Sequence, residues 1–161
     1  MRALLAFTTR YTAYGSALFL AAMMVLTVID VGLRATLNLP ITGAYDLVQL
    51  CLVGTVFLSI PDVFMREDNI VIDLIDHVFG PRTVGALRVI ACALAFIFLA
   101  VLCWRMFAPA FDAIAFNEVS PDLSISMAVH WTLMILGIAI ALPVAAFMLI
   151  ESILRMLAGT R

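Results

Sequence analysis

Three aspartates near the ends of long apolar runs are the first residues whose chemistry could matter. Asp30, Asp46 and Asp62 each stand within a turn or two of the point where such a run ends. An acid at the centre of a bilayer would be costly and would mark an ion or proton pathway. None of the three has a central place, so we expect carboxylates that are solvated or paired with arginine. Asp30 and Arg34 are spaced i, i+4 and can pair with each other.

The two histidines could carry protons or bind metal ions. His130 stands beside Trp131, and we interpret it as an amphipathic side chain at the membrane interface. Asp73 and His77 lie four residues apart on one helix face, where they could bind a cation weakly, although a solvated polar face is the simpler interpretation. We therefore expect no metal site and no cofactor.

The cysteines and the catalytic motifs argue against an enzyme. Cys51, Cys92 and Cys103 are isolated within apolar runs, without the C-x-x-C spacing of a redox pair or zinc site. Such cysteines usually pack as small apolar residues. The sequence also contains no P-loop, no G-x-G-x-x-G, no H-E-x-x-H and no Ser-His-Asp order. We expect no enzymatic activity.

Composition indicates that these residues belong to a membrane protein. Of the 161 residues, 65% are hydrophobic and 12% are charged, and the mean hydropathy is +1.17. A soluble domain would be about half apolar and about a quarter charged. The basic residues are all arginines, and they are scattered, so the chain has no basic cluster for nucleic acid. The sequence predicts an all-α integral membrane protein.

Four apolar segments are long enough to cross a bilayer, which takes about 20 residues. We predict helices at about 11–34, 44–65, 83–107 and 125–150, which together form one membrane domain over residues 1–161. Pro61 can kink the second helix, Pro143 can bend the fourth, and Pro109 is expected to end the third. The first apolar run is too long for a secretory signal peptide, so we expect an uncleaved span.

A different pattern between the second and third spans predicts a helix that lies on the membrane surface. Its apolar residues recur at the spacing i, i+3, i+4, i+7, namely Val71, Leu74, Ile75 and Val78. A helix with one apolar and one polar stripe lies in the plane of the interface. We predict an amphipathic interfacial helix at about 69–79.

The arginines set the predicted orientation, because they collect on the cytoplasmic side of a membrane protein. One side of the four spans holds Arg2, Arg10, Arg66, Arg82, Arg88, Arg155 and Arg161, and the other side holds Arg34 and Arg105. Both termini and the interfacial helix are therefore predicted to be cytoplasmic. Long arginine side chains and tryptophan rings also favour the headgroup level. The predicted interfacial anchors are Arg34, Arg88, Trp104, Arg105 and Trp131.

Three short segments carry a resemblance to a known family. Residues 42–47 read T-G-A-Y-D-L, residues 66–73 read R-E-D-N-I-V-I-D, and residues 120–125 read S-P-D-L-S-I. They resemble the small permease subunit of TRAP transporters, the tripartite ATP-independent periplasmic carriers of the dicarboxylate type. That family has T-G-x-x-E-L at the start of its second helix, R-x-x-H-I-x-V-D on the cytoplasmic side, and a segment similar to the third before its fourth helix.

The chain departs from the family pattern at three positions. Asp46 replaces the usual glutamate and keeps the charge. Asn69 stands where the family most often has histidine, so the resemblance implies packing and capping there rather than titration. Ser126 stands where proline is expected, so the residue at which the fourth helix begins is less clearly defined.

The resemblance implies a division of labour among three proteins. A periplasmic solute-binding protein captures an organic acid, and a large permease subunit imports it by symport with sodium. The small subunit packs beside the large one, among membrane lipids, and has no substrate site of its own. We accordingly predict that Asp46, Arg66, Asn69 and Asp73 serve docking and architecture. The lack of paired Gly/Pro-broken helices agrees with a subunit rather than a self-sufficient carrier.

Three other functions stay open on the sequence alone. A four-span thiol/quinone oxidoreductase has a similar length, but it needs cysteine pairs near the outer surface. A small multidrug-type antiporter needs an acid embedded in its first helix, and Asp30 lies too near the helix end. A four-span structural protein without a fixed partner would have the same hydropathy.

Overall fold

Four helices make up the part of the chain that the computed structural model describes, residues 2–66 and 81–158. They are α1 (Arg2–Leu37), α2 (Ala44–Arg66), α3 (Pro81–Ala115) and α4 (Met127–Ala158). Each contains a segment long and apolar enough to cross a membrane. The predicted all-α membrane fold with four spans is therefore confirmed. The interfacial helix predicted at about 69–79 lies outside the described residues, together with Asn69, Asp73 and His77.

Three of these helices are longer than the predicted spans. α1 has 36 residues, α3 has 35 and α4 has 32. At 1.5 Å per residue each is about 50 Å long, whereas the hydrocarbon core of a bilayer is about 30 Å thick. These helices must therefore tilt or extend into the headgroup regions. The 23 residues of α2 match the thickness of a bilayer more closely.

The prediction that Pro109 ends the third helix is wrong, because α3 continues through it to Ala115. A proline in a helix removes one backbone hydrogen bond and strains the preceding turn. Here packing on both sides of the proline compensates. Met106, Ala110 and Ala113 follow the spacing i, i+4, i+7 and are all buried. α2 and α4 likewise run through Pro61 and Pro143.

The helices form an open row in the order α1, α2, α4, α3. α1 packs against α2, α2 against α4, and α4 against α3, while α1 only touches α4. Within the described residues, neither α1 nor α2 contacts α3. α4 therefore has a neighbour on both sides and supplies much of the buried core, including Ile138, Ala141, Val144 and Ala145. The two broad faces of the row carry exposed apolar side chains, as helix surfaces in lipid do.

Small residues let neighbouring helices approach closely, which is the usual basis of helix association in membranes. A Cβ atom on Gly54 of α2 would lie 2.7 Å from the ring of Phe19 on α1. On α4, a Cβ atom on Gly137 would lie 2.3 Å from the backbone oxygen of Phe57 on α2. The Ser16 hydroxyl adds an interhelical hydrogen bond of 2.7 Å to the carbonyl of Thr55.

The turn between α1 and α2 contains two residues in left-handed backbone conformations. They are Asn38 and Gly43, with φ of 55° and 79°. The predicted ion pair is confirmed: Arg34 donates to Asp30 Oδ2 at 2.9 Å. The other oxygen of Asp30 accepts a hydrogen bond of 2.8 Å from the amide of Ile41. Asp30 thus ties the turn back to α1.

Candidate functional site

Asp46 is the centre of a polar junction at one end of the helix row. It lies in the first turn of α2, three residues after Gly43, which has a left-handed backbone conformation. Its side chain is fully buried (0% exposed). The amides of Ala44 and Leu47 bond to the carbonyls of Ile41 and Gly43, which closes the start of the helix. A carboxylate in this first turn is favoured by the positive end of the helix dipole.

Three donors from the loop between α3 and α4 converge on one oxygen of Asp46. Asp46 Oδ2 accepts hydrogen bonds from the Ser120 hydroxyl, from the amide of Asp122 at 3.1 Å and from the amide of Leu123 at 2.8 Å. Successive amides that point inward in this way form an anion-binding nest. The ligand of this nest is a side chain of the protein itself.

Internal hydrogen bonds of the loop hold the nest in shape. The amide of Ser120 donates to the carbonyl of Ile125 at 2.8 Å, and the amide of Ile125 donates to Ser120 Oγ at 3.3 Å. Ser124 adopts a left-handed conformation with φ of 54°, and its amide donates to the carbonyl of Ser120. An isolated antiparallel bridge joins Val119 and Ser126 on either side.

Gly43 and Leu123 complete the contact between the two segments. A Cβ atom on Gly43 would lie 2.1 Å from Cγ of Leu123, so only glycine allows this approach. Residues 42–47 and 120–125 therefore interlock through both polar and apolar contacts, and we call them the loop lock. Both are segments that carry the family resemblance, and the structure brings them together.

Ser126 caps α4, contrary to the expectation that its substitution for proline loosens the start of this helix. Its hydroxyl accepts a hydrogen bond of 3.3 Å from the amide of Ala128, and its carbonyl accepts one of 3.0 Å from Val129. Serine is a favourable residue at a helix N-cap for this reason. The hydrogen bonds that Ser126 accepts thus fix the residue at which α4 begins, and no proline is needed there.

The structure corrects the interpretation of Asp46, which is expected to be solvated or paired with arginine: it is buried and bound by a hydroxyl and two amides. His130, interpreted as an amphipathic side chain at the membrane interface, is only 4% exposed, so it packs inside the protein instead of on its surface. Its position at the membrane interface stays a prediction. In the sequence, residues 42–47 and 120–125 are recognisable as two polar segments at helix ends. Local spacing does not show that these two segments contact each other, so the burial of Asp46 could not be predicted.

The remaining predicted site residues are the docking candidates and the interfacial anchors. The side chain of Arg66, like Asn69 and Asp73, lies outside the described part of the chain, and the docking roles of these residues stay predictions. Among the predicted interfacial anchors, the exposed side chains are Arg34, Trp104 and Arg105, and the half-buried ones are Arg88 and Trp131. Their role as membrane anchors also stays a prediction.

A cleft of about 550 Å³ opens beside the loop lock, between the end of α1 and the start of α2. Its charged lining residues are Asp30, Arg34 and Asp122. The only cationic group among them, that of Arg34, is already paired with Asp30. A cleft with two carboxylates and one paired arginine is not suited to bind an organic acid.

The family model described as "Tripartite ATP-independent periplasmic transporters, DctQ component" matches residues 23–159. The chain belongs to this family. The match includes both segments of the loop lock and all four helices apart from the first part of α1. No curated protein and no solved structure matches the chain significantly.

Membership of the DctQ family confirms the resemblance to the small component of TRAP transporters. The chain is thus a multi-pass membrane protein of a transporter component family. This family assignment favours neither the oxidoreductase nor the antiporter. The thiols of Cys51, Cys92 and Cys103 are all free.

Proposed function

We propose that this DctQ protein packs beside a large permease subunit and widens its membrane scaffold. In this proposal the large subunit imports an organic acid by symport with sodium, after a periplasmic solute-binding protein delivers it. The open row of helices is the observation that carries the proposal. It explains why the protein would act as a subunit and not as a carrier.

A carrier has to surround the path of its substrate with protein. Because α3 contacts neither α1 nor α2 within the described residues, the row does not close around a central space. Its two broad faces are instead available for packing, one against the large subunit and the other against lipid. Exposed apolar side chains on the edge helices, such as Leu18 and Val28 on α1 and Leu94 and Phe98 on α3, suit both surroundings.

Seven hydroxyl groups within the helices support the same conclusion. Each donates to a carbonyl of its own helix at 2.7–2.9 Å, three or four residues earlier: Thr8, Thr12, Thr27, Thr36, Thr55, Ser59 and Thr132. Hydroxyls engaged in this way satisfy the helix backbone and do not converge on a ligand. Binding an organic acid would require several convergent donors or a cationic group.

The arginine distribution supports an orientation in the bacterial inner membrane with both termini in the cytoplasm. The loop lock would then face the periplasm. Arg66, Asn69 and Asp73 would lie at the cytoplasmic face, where they would contribute to docking of the large subunit. In this arrangement the lock sets the periplasmic ends of α2, α3 and α4 relative to one another.

Co-purification with the large subunit tests the proposal. An affinity-tagged chain is co-expressed with a candidate large TRAP permease subunit from the same organism, and sodium-dependent uptake of a panel of carboxylates is measured. We expect the large subunit to co-purify and uptake to require the chain. Asp46→Ala, Arg66→Ala and Asp73→Ala should each weaken co-purification, with Asp112→Ala on the exposed surface as the matched control.

Two outcomes would contradict the proposal. One is full uptake by the large subunit in cells that lack this chain. The other is carboxylate uptake by liposomes that contain the chain alone. Unchanged assembly and uptake in all three alanine variants would refute the assigned roles of these residues while leaving the subunit assignment intact.

A further inference from the structure

A largely apolar groove of about 450 Å³ lies between α1 and α4, the two helices that flank α2. α1 lines it between Leu5 and Thr12, and α4 lines it with Ala139, Ile140 and Pro143. All of these residues belong to segments that are long and apolar enough to cross a membrane. The groove is therefore filled either by a lipid or by a transmembrane helix.

Pro143 leaves the α4 wall of this groove with a backbone oxygen that lacks its usual donor. In a regular helix the amide of residue 143 would donate to the carbonyl of Ala139, but proline has no N–H group. Ala139 and Pro143 are both exposed, and both line the groove. In lipid no water replaces the missing donor, so neighbouring helices usually supply one. The groove thus presents a hydrogen-bond acceptor within the membrane.

The chain itself shows how a helix covers such a carbonyl. Pro61 in α2 withholds the same hydrogen bond from the carbonyl of Phe57. That oxygen lies so close to Gly137 of α4 that a Cβ atom on the glycine would be 2.3 Å from it. A Cα–H group at such a contact is a weak donor to a carbonyl. Pro61 is fully buried, whereas Pro143 is exposed, so the same feature is covered in α2 and open in α4.

The size and the chemistry of the groove favour a helix over a lipid. Residues 5–12 of α1 extend about 10 Å along the helix axis, which is about the diameter of a second helix. The hydroxyls of Thr8 and Thr12 already donate to carbonyls of α1 at 2.9 Å, which leaves few donors for a lipid headgroup. A lipid chain has no N–H or O–H group for the carbonyl of Ala139. A helix can bring a small or hydroxyl-bearing residue close enough to donate to it.

We propose that a transmembrane helix of the large permease subunit packs into this groove and places a glycine, alanine, serine or threonine against the carbonyl of Ala139. The proposal rests on the function proposed above and identifies the face of the helix row that binds the large subunit. This face carries the groove between α1 and α4, and the opposite face is left to lipid.

A photo-reactive side chain within the groove identifies its occupant. Tyr11 lines the groove and is 59% exposed, so p-benzoylphenylalanine can replace its ring with little change in shape. The full chain is co-expressed with the candidate large subunit, the membranes are irradiated, and the adducts are identified by mass spectrometry. We expect an adduct with a peptide from a membrane span of the large subunit. An adduct with phospholipid alone or with a second copy of this chain, or no adduct, would overturn the proposal.

Filling the groove gives a second test with natural residues. Ala139 is exposed, so Ala139→Leu should preserve the fold while its larger side chain blocks the groove. We expect a loss of about tenfold in co-purified large subunit, the order of effect that overpacking of a fitted contact has. Ala91→Leu is the matched control, because Ala91 is exposed on α3, which does not line the groove, and it should cause no loss. Equal losses in both variants, or no loss in either, would contradict the proposal.

Pro143→Ala tests the role of the carbonyl. The alanine returns an N–H group to the carbonyl of Ala139, so the partner helix loses the acceptor that it covers. We expect a loss of about threefold to tenfold in co-purified large subunit. Pro109→Ala, which removes a helix proline from α3 outside the groove, should cause no loss. Unchanged co-purification with Pro143→Ala would overturn the role of the carbonyl.

These experiments distinguish failure of the groove assignment from failure of the proposed function. If the unmodified chain does not retain the large subunit, both are refuted. If the unmodified chain retains it, but Ala139→Leu causes no loss and the residue at position 11 reacts only with phospholipid, the groove assignment alone is refuted.

Discussion

Replacing Gly43 with alanine tests whether the loop lock stabilises the protein as its geometry indicates. Gly43 has φ of 79°, where a residue with a Cβ atom costs about 1–2 kcal/mol. The new methyl group would also lie within 2.1 Å of Leu123, so the leucine has to leave its present rotamer, at about 0.5–1.5 kcal/mol. We therefore expect Gly43→Ala to reduce the free energy of unfolding by about 1.5–3.5 kcal/mol.

The assay is thermal unfolding of the full chain in detergent, followed with a thiol-reactive dye. The three cysteines are free and partly buried, so they report unfolding without added labels. For a chain of 161 residues, 1 kcal/mol corresponds to about 2–4 °C in melting temperature. Gly43→Ala should thus lower the melting temperature by about 3–14 °C.

Two further variants separate the causes of this loss. Adding Leu123→Ala removes the steric conflict but not the backbone strain, so the double variant should regain about 1–6 °C relative to Gly43→Ala. Gly32→Ala is the matched control, because Gly32 lies within α1 and a Cβ atom there would meet nothing within 4 Å. It should leave the melting temperature unchanged or raise it slightly, since alanine favours a helix. A loss at Gly43 no larger than at Gly32 would refute the reasoning.

Three further changes test other contacts. Asp46→Ala should lower the melting temperature more than Asp122→Ala, because only the carboxylate of Asp46 accepts hydrogen bonds from the loop; equal losses would contradict the lock. Gly137→Ala should force α2 and α4 apart and weaken co-purification with the large subunit, whereas Gly85→Ala, with its nearest neighbour at 3.6 Å, should not. Arg34→Ala should reduce the free energy of unfolding by at most about 0.5 kcal/mol, because the Arg34 side chain is 63% exposed and solvent screens its charge. A melting-temperature loss above about 5 °C would show a larger role.

The class of the protein and much of its local structure could be predicted from sequence. Apolar segments of sufficient length predict membrane spans wherever they occur, because backbone groups in lipid must bond within their own helix. The Asp30–Arg34 pair and the turn at residues 38–43 were predictable for a similar reason. Their partners lie a few residues away, so spacing and residue type suffice. The family was predicted from three short motifs, and no knowledge of their contacts was needed.

Tertiary structure alone decided how these elements meet. Asp46 is buried because Ser120, 74 residues further along the chain, supplies a hydroxyl, and the neighbouring turn supplies two amides. α3 continues past Pro109 because the packing of buried residues before and after the proline outweighs the local preference to stop. The open order α1, α2, α4, α3 depends on close approaches at Gly54 and Gly137, which hydropathy does not distinguish from other glycines. Local spacing specifies helices and near neighbours, whereas the burial of a polar group depends on donors that distant segments bring to it.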